Sequence, residues 1–294
     1  MISAENLLIP EWPDALNQVD IVKARFTLAY VSPCTVRPTD FIRLGRVLRT
    51  PVRQMLDPAD ELTVRQWQAL FQPAPSADPV ARRRFQKPAP ALVMTLPVMQ
   101  ETDIDTGEKL ECVVLFVGAG VSLIHVFLKS LIDLGHLGLV PGSGHFQVTE
   151  VYSISNGQPE KLAWRQDDPL DAFTCAVQPL DWLVSQDRVP DRLTISYETP
   201  VRLMVNGRPL RKPRFKQVFP FMLRRVTSMI YAHSGIELLD EPSRLLASVS
   251  RIDELETRLS WSDWRAIAGQ QDLVVGGFTG DMVVSGQALS LIHI

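Results

Sequence analysis

Two amphipathic patterns limit what the first half of this chain can become: an alternating stretch at residues 19–31 and an apolar-faced helix at 121–134. In the first, Phe26, Leu28 and Tyr30 fall on one side of an extended backbone, and Ser32-Pro33 ends it. In the second, Leu123, Ile124, Phe127, Leu128 and Leu131 make one face, and Ser122, His125, Lys129 and Asp133 the opposite stripe. One-sided elements of these two kinds bury their apolar sides together, as a helix laid on a sheet.

The segments between them complete a pattern. Residues 38–56 turn helical, with Thr39 as N-cap and Leu44, Val47 and Leu48 apolar. Arg43, Arg46, Arg49 and Arg53 line one face of that helix, and Pro51 ends or kinks it. A short helix follows over 63–71. Pro73, Pro75, Pro79, Pro88 and Pro90 make 72–90 an excursion without regular structure, to which Arg82, Arg83 and Arg84 add charge. Residues 91–98 and 109–117 read as paired strands with a turn at Asp105-Thr106-Gly107, and 146–154 as a further strand. The order strand, helix, strand, strand, helix, strand is that of a ferredoxin-like domain. Its helices cover one face of a four-stranded sheet, and the other is open, in many such folds to single-stranded RNA.

Residues 156–189 are less regular, which puts a boundary near Val189 and divides the chain into 1–189 and 190–294. Beyond it, a strand at 193–203 breaks at Pro200, and Asn206-Gly207 signals a tight turn. Pro220 fits the first turn of a helix that runs to His233, with Gly235 as its C-cap. Met222, Leu223, Val226, Met229 and Ile230 face its core side, with Arg224 and Arg225 away from them. Residues 245–258 and 278–285 read as two more strands. The expected class is therefore α+β, two tandem ferredoxin-like (RRM-like) domains, the second incomplete at its C-terminus. A helix and a strand are wanting, so truncation or non-native final residues are expected there.

Charge is distributed unevenly along this chain. Residues 199–236 hold Arg202, Arg208, Arg211, Lys212, Arg214, Lys216, Arg224 and Arg225 and no acid, within a chain of net charge −3. That window carries +8 and the remainder −3 − 8 = −11. A one-signed patch suits a polyanion, because each neutralised phosphate releases a condensed counterion; a solvated loop and helix face is the alternative. Cys34, Cys112 and Cys175 are far apart, form no metal-ligand spacing and read as small core residues. No metal or other cofactor is expected. Gly118 and Gly120 precede a helix, but neither a third glycine nor a Walker lysine follows, which argues against a nucleotide cofactor. No apolar run reads as a membrane span and no secretory signal is evident, so the cytoplasm is the default compartment.

Two segments together carry a family resemblance. One is residues 115–151, a helix followed by a glycine-rich turn. The other combines Thr199-Pro200, Arg224-Arg225, Trp264-Arg265 and Gly276-Gly277-Phe278-Thr279-Gly280 in that order. This arrangement resembles the CRISPR-associated precursor-crRNA-processing endoribonucleases of the RAMP superfamily, over about the last two thirds of the chain. The resemblance implies tandem ferredoxin-like domains that bind CRISPR repeat RNA and cut it once without metal, in antiviral defence. In such cleavage the ribose 2′-OH attacks the neighbouring phosphate, leaving a 2′,3′-cyclic phosphate and a 5′-OH. That chemistry needs a base, an acid and a cation near the phosphorane. Other subunits of a CRISPR effector complex are implied as partners.

Carried onto this sequence, the RNA-binding candidates are the eight basic residues together with Arg265, Gly276, Gly277 and Gly280. The catalytic candidates are His145, in the glycine-rich turn, His136 and Tyr30. Each has a plain structural reading as well, a turn or surface histidine and a core tyrosine. His125 reads as solvent-exposed and His233 as a helix C-terminal cation. The chain departs from the family in two ways. The family often carries its catalytic histidine near the start of the first helix, whereas residues 32–41 offer Cys34, Arg37 and Asp40 and no histidine precedes His125. The family's closing glycine-rich loop has no counterpart after His293. Two further readings stay open: a non-catalytic RNA-binding subunit of the same fold, and a structural module that binds protein through its open sheet faces.

Overall fold

The computed structural model describes residues 14–41, 56–57, 59–85, 88–95, 97–139, 142–155, 157–184, 191–239, 242–266 and 273–286. They divide into two compact units, one of 17–180 with 228–236 and a second of 181–227 with the residues from 237 on.

In the first unit the alternating segment forms β1 (Asp20–Tyr30), and a two-stranded ribbon joins β2 (Cys34–Val36) to a later strand. The helices are α1 (Glu61–Phe71) and α2 (Pro79–Arg84). Then come β3 (Leu92–Met94), β4 (Thr102–Ile104), β5 (Lys109–Val117), α3 (Ile124–Leu137), β6 (Phe146–Ile154) and β7 (Lys161–Arg165). A short β8 (Gln178–Pro179) pairs with the start of β1. The main sheet runs β3-β5-β1-β6-β7 with antiparallel neighbours, and β2 pairs with β4. Sequence order 2-3-1-4 for its first four strands is ferredoxin-like topology.

Helices pack on one face because the two periodicities meet there. Phe26 and Phe116, from adjacent central strands, and Phe127 of α3 are all fully buried. The Phe127 ring stands edge-on to Phe26 at 5.1 Å and to Phe116 at 5.3 Å, with Phe71 of α1 at 6.3 Å. The segment Gly118–Leu137 has the length and apolar composition of a membrane-crossing helix, contrary to the sequence reading. Its most apolar window is nevertheless 56% buried within the protein, the mark of a core helix.

Several expectations needed correction here. The 72–90 excursion contains α2: Pro79 occupies its first position, where no N–H is needed, and the Asp78 carboxylate accepts from Val80 and Ala81. The chain is helical from residue 38, so Thr39 lies inside the helix and is not its N-cap. Asp40 does the capping instead, accepting from the Arg37 backbone N–H at 2.8 Å. The remainder of that helix, with Arg43, Arg46, Arg49 and Arg53, falls outside the described residues.

In the second unit β9 (Arg192–Val201) leads to a hairpin of β10 (Met204–Val205) and β11 (Arg208–Pro209). Asn206 and Gly207 form its turn with φ of 50° and 76°, as an Asn-Gly hairpin demands. Next come α4 (Phe215–Ser234), whose final turns are counted with the first unit, and α5 (Pro242–Ser248). β12 (Asp253–Ala266) and β13 (Leu273–Ser285) close a sheet ordered β12-β13-β9. A strand, helix, strand, strand series in that order repeats the ferredoxin-like plan.

Three further corrections fall in this unit. β9 continues through Pro200, where its pairing to β13 is irregular, so a missing N–H is tolerated. Pro220 is the sixth residue of α4 and not in its first turn, at the loss of one helical hydrogen bond. Residues 245–251 are helical, not extended: Leu245, Ser248, Val249 and Ile252 recur at helical spacing and are all buried. The core side of α4 is Phe215, Val218, Phe219, Leu223 and Ile230, while Met222 is exposed.

Because Phe127 joins both helices to both central strands, Phe127→Ala should lower unfolding free energy by about 3–5 kcal/mol in denaturant titration. An exposed control such as Leu62→Ala should change it by less than about 0.5 kcal/mol.

Candidate nucleic-acid interface

All eight basic residues of the segment are exposed, and all lie in the second unit. Arg202 follows β9, Arg208 is on β11, and Arg211, Lys212 and Arg214 occupy the loop into α4. Lys216, Arg224 and Arg225 stand on α4, off its buried stripe. Among the described residues none of the eight forms an ion pair with a carboxylate. Elsewhere Arg37, Arg65 and Arg258 are paired with Glu101, Glu61 and Glu256. The contrast is sharpest at Arg25, on the open face of the first unit's sheet. Its guanidinium contacts both Glu111 and Glu160, the latter at 2.9 Å through Nε, and lies 4.6 Å from the Tyr152 ring centre. These contacts hold its pKa above the usual arginine value, the Glu160 hydrogen bond contributing most. The sheet face expected to be open to RNA therefore has its central cation neutralised, whereas the eight cations of the basic segment have no carboxylate ion pair among the described residues.

Acids do approach one end of the segment. Arg214 and Lys216 share a cleft of about 480 Å³ with Asp253, Glu254 and Glu256. Glu254 accepts the Phe215 backbone N–H at 2.8 Å, so a carboxylate already sits on the N-terminus of α4. The Gln217 side chain accepts the Arg214 N–H at 2.9 Å, as in a capping box. The start of α4 is thus satisfied within the protein, and Arg208, Arg211 and Lys212 of the hairpin and loop do not line that acidic cleft.

Beside that loop the Arg211 guanidinium lies over the Trp261 ring, 5.6 Å from its centre. The Trp261 indole N–H donates to Asp263 Oδ1 at 2.8 Å. Gly276 pairs with Asp263 across the sheet. A Cβ at 276 would come within 2.4 Å of that carboxylate oxygen and 3.2 Å of the indole. Residues 276–280, expected as a Gly-Gly-x-x-Gly turn, are instead extended. Gly276, Gly277 and Gly280 are interior to β13, and each gives room to a neighbour. Gly277 lies against the backbone of Pro200 and Val201, and Gly280, at φ 114°, against the Arg258 carbonyl. Arg265 lies on β12, opposite Val274. Nothing in the sequence flagged Trp261, although its i+2 spacing to Asp263 on a strand puts both on one face.

The catalytic candidates gather in one corner of the first unit. His136 is in the last turn of α3 and exposed; His145 precedes β6 and is half-buried. His145 Nδ1 is 3.0 Å from the His136 carbonyl. A carbonyl only accepts, so Nδ1 carries the proton and Nε2 is left with its lone pair. The His145 carbonyl in turn accepts from Val31, next to Tyr30. Tyr30 itself is a core residue, 1% exposed, its ring packed on Phe146 and its hydroxyl without a partner. Burial pushes its pKa above the ordinary phenol value, which unsuits it to proton transfer with a solvated polymer.

His125 is exposed, on a cleft with Lys129 and Asp133. His233, expected as a helix C-terminal cation, is 7% exposed, and its Nε2 donates to the Ala89 carbonyl at 2.8 Å. Cys112 is buried and its thiol pushed up to about 12.

If Glu254 completes the start of α4, Glu254→Ala should cost roughly 1 kcal/mol of stability, most of it restored in Glu254→Asp only if the shorter side chain still reaches the Phe215 N–H. Thermal unfolding at low and high salt would measure it.

The AF_1859_N family model, described as an N-terminal domain, matches residues 53–172, fewer than half of the 294. No curated protein matches the sequence. A product complex of Cas6 from Thermus thermophilus superposes with a TM-score of 0.52 at 16% identity, covering 93% of this chain and 89% of that one. A partial Cas6-RT-Cas1–Cas2 complex gives a TM-score of 0.53 at 11% identity, covering 93% of this chain and 42% of the other. These identities speak to architecture: two tandem ferredoxin-like domains in an α+β chain. In fold the chain is similar to these Cas6 structures.

Proposed function

We propose that this chain is an endoribonuclease that binds CRISPR repeat RNA and cleaves precursor crRNA by internal transesterification. The observation that carries the reading is the row of eight exposed cations with no acidic partner among the described residues, on a fold shared with Cas6. Phosphates neutralised there would release counterions and give a steep salt dependence. Cleavage by a ribose 2′-OH needs no metal-bound water, since the nucleophile is part of the substrate. His145 Nε2 takes the 2′-OH proton as the oxygen attacks phosphorus, and the 5′-oxygen leaves. His136, whose carbonyl holds the His145 ring, presents a second imidazole on the same corner to protonate the leaving oxygen. The products are a 2′,3′-cyclic phosphate and a 5′-OH.

One observation favours a second reading. Residues 32–41, where the family often has its histidine, form β2 and a helix start with none. On that reading the chain holds CRISPR RNA as a non-catalytic subunit beside other CRISPR proteins. In either case its place would be the cytoplasm.

Incubation with repeat RNA in EDTA separates the two. The enzyme yields a cyclic-phosphate product, and His145→Ala slows it about a hundredfold or more with RNA affinity retained. Binding without cutting, at any histidine genotype, selects the second reading. Charge reversal at Arg224 and Arg225 should weaken RNA binding at least tenfold and flatten its salt dependence by about two phosphates; unchanged affinity removes both from the interface.

A further inference from the structure

We infer that Trp261 is a stacking platform for one unpaired base of the bound RNA, with Arg211 as a movable cover; the inference rests on the RNA-binding reading above. Four features converge on this indole. It is half-buried on the face of β12 that also holds Leu259 and is opposite Phe278, yet stands beyond the core cluster of which those two residues are part. Its in-plane orientation is fixed by the bond from Nε1 to Asp263 Oδ1. Gly276 leaves the space beside the pair, since a Cβ there would come within 2.4 Å of the Asp263 carboxylate and displace it. Its remaining cover is Arg211, exposed, without a carboxylate partner among the described residues, and flanked by Lys212 and Arg208.

A tryptophan used only to fill a sheet above a glycine needs no cation over it. A tryptophan prepared for a base needs a rigid ring, an adjacent phosphate-binding charge and a cover that can lift. Stacked layers are separated by about 3.4 Å, so a base between guanidinium and indole needs about 7 Å where 5.6 Å is present. An outward movement of roughly 1.5 Å by a solvated arginine supplies it. The base would then lie between a π face and a planar cation, and the arginine would stay near the phosphates. Stacking of this kind accepts any base and favours purines only through their larger rings.

The test is fluorescence titration of full-length protein with single-stranded repeat RNA carrying 2-aminopurine at successive positions, at three salt concentrations. One position should be quenched on binding. Trp261→Leu should abolish that quenching and weaken affinity about five- to hundredfold with the salt slope unchanged, and Trp261→Phe should restore most of both. Arg211→Gln, by contrast, should reduce the salt slope by about one. Wild-type affinity in Trp261→Leu, or loss of affinity in Trp261→Leu and Trp261→Phe alike, overturns the platform. RNA that fails to bind wild-type protein overturns the RNA-binding reading itself, and a quenched position that persists in Trp261→Leu places the stacking partner elsewhere.

Discussion

Burial of Phe127 between two strands and a second helix is the contact from which the first unit follows. Phe26 and Phe116 come from neighbouring central strands, and their rings are brought together only in the register that sets Phe26 opposite Cys112 and Val22 opposite Phe116. A one-residue slip would turn either ring to the opposite face. Fixing α3 there also fixes what leaves its ends. The turn after its last residue brings His145 back beneath the His136 carbonyl, so the proton position on the imidazole is inherited from core packing. The candidate base is thereby tied to rigid elements, although it sits in a glycine-rich turn.

The second unit solves a different problem. Eight like charges within 38 residues repel one another, and a folded chain can relieve this with carboxylates or with distance. Arg25 in the first unit shows the carboxylate solution, held by Glu111 and Glu160. The basic segment carries its cations on a hairpin, a loop and the solvent side of a helix, all exposed. Of the carboxylates that share a cleft with Arg214 and Lys216, Glu254 is committed to the Phe215 N–H. A bound polyanion would relieve the remaining repulsion, which is the physical basis of the proposed RNA binding.

Much of this was legible in the sequence, for reasons that differ by residue. The Asn206-Gly207 turn, the αL cap at Gly235 and the buried face of α3 were readable because each is set by local chemistry. The uncompensated charge was readable because it is a count. The misreadings came where tertiary contacts decide. Pro220 looked like a helix start because nothing local reveals that α4 begins at Phe215, where a carboxylate 39 residues away accepts its N–H. Leu245 to Ile252 could be strand or helix until Pro242 and the spacing of its buried residues settled it. The three glycines looked like a turn because a strand glycine is intelligible only through what passes over it, here Asp263, Val201 and the Arg258 carbonyl. Trp261 was invisible for the same reason, since Arg211 reaches it from fifty positions away in sequence.

Affinity and discrimination then belong to different residues. Lysines and arginines that meet phosphates hold any RNA strand and carry no sequence information, and their contribution falls with salt. Discrimination requires groups that meet bases or that admit only an unpaired strand. Trp261 can do the second without the first: a duplex base is already stacked on both faces, whereas a single-stranded base gains a partner. Asp263 is already committed to the indole N–H through Oδ1, so it orients the platform and has less capacity to read a base edge. If the proposed RNA-binding role holds, a cationic track beside one fixed aromatic ring would select first for unpaired RNA and only weakly for its sequence. Finer choice of repeat would have to come from the shape of the RNA and from base contacts made elsewhere in the chain.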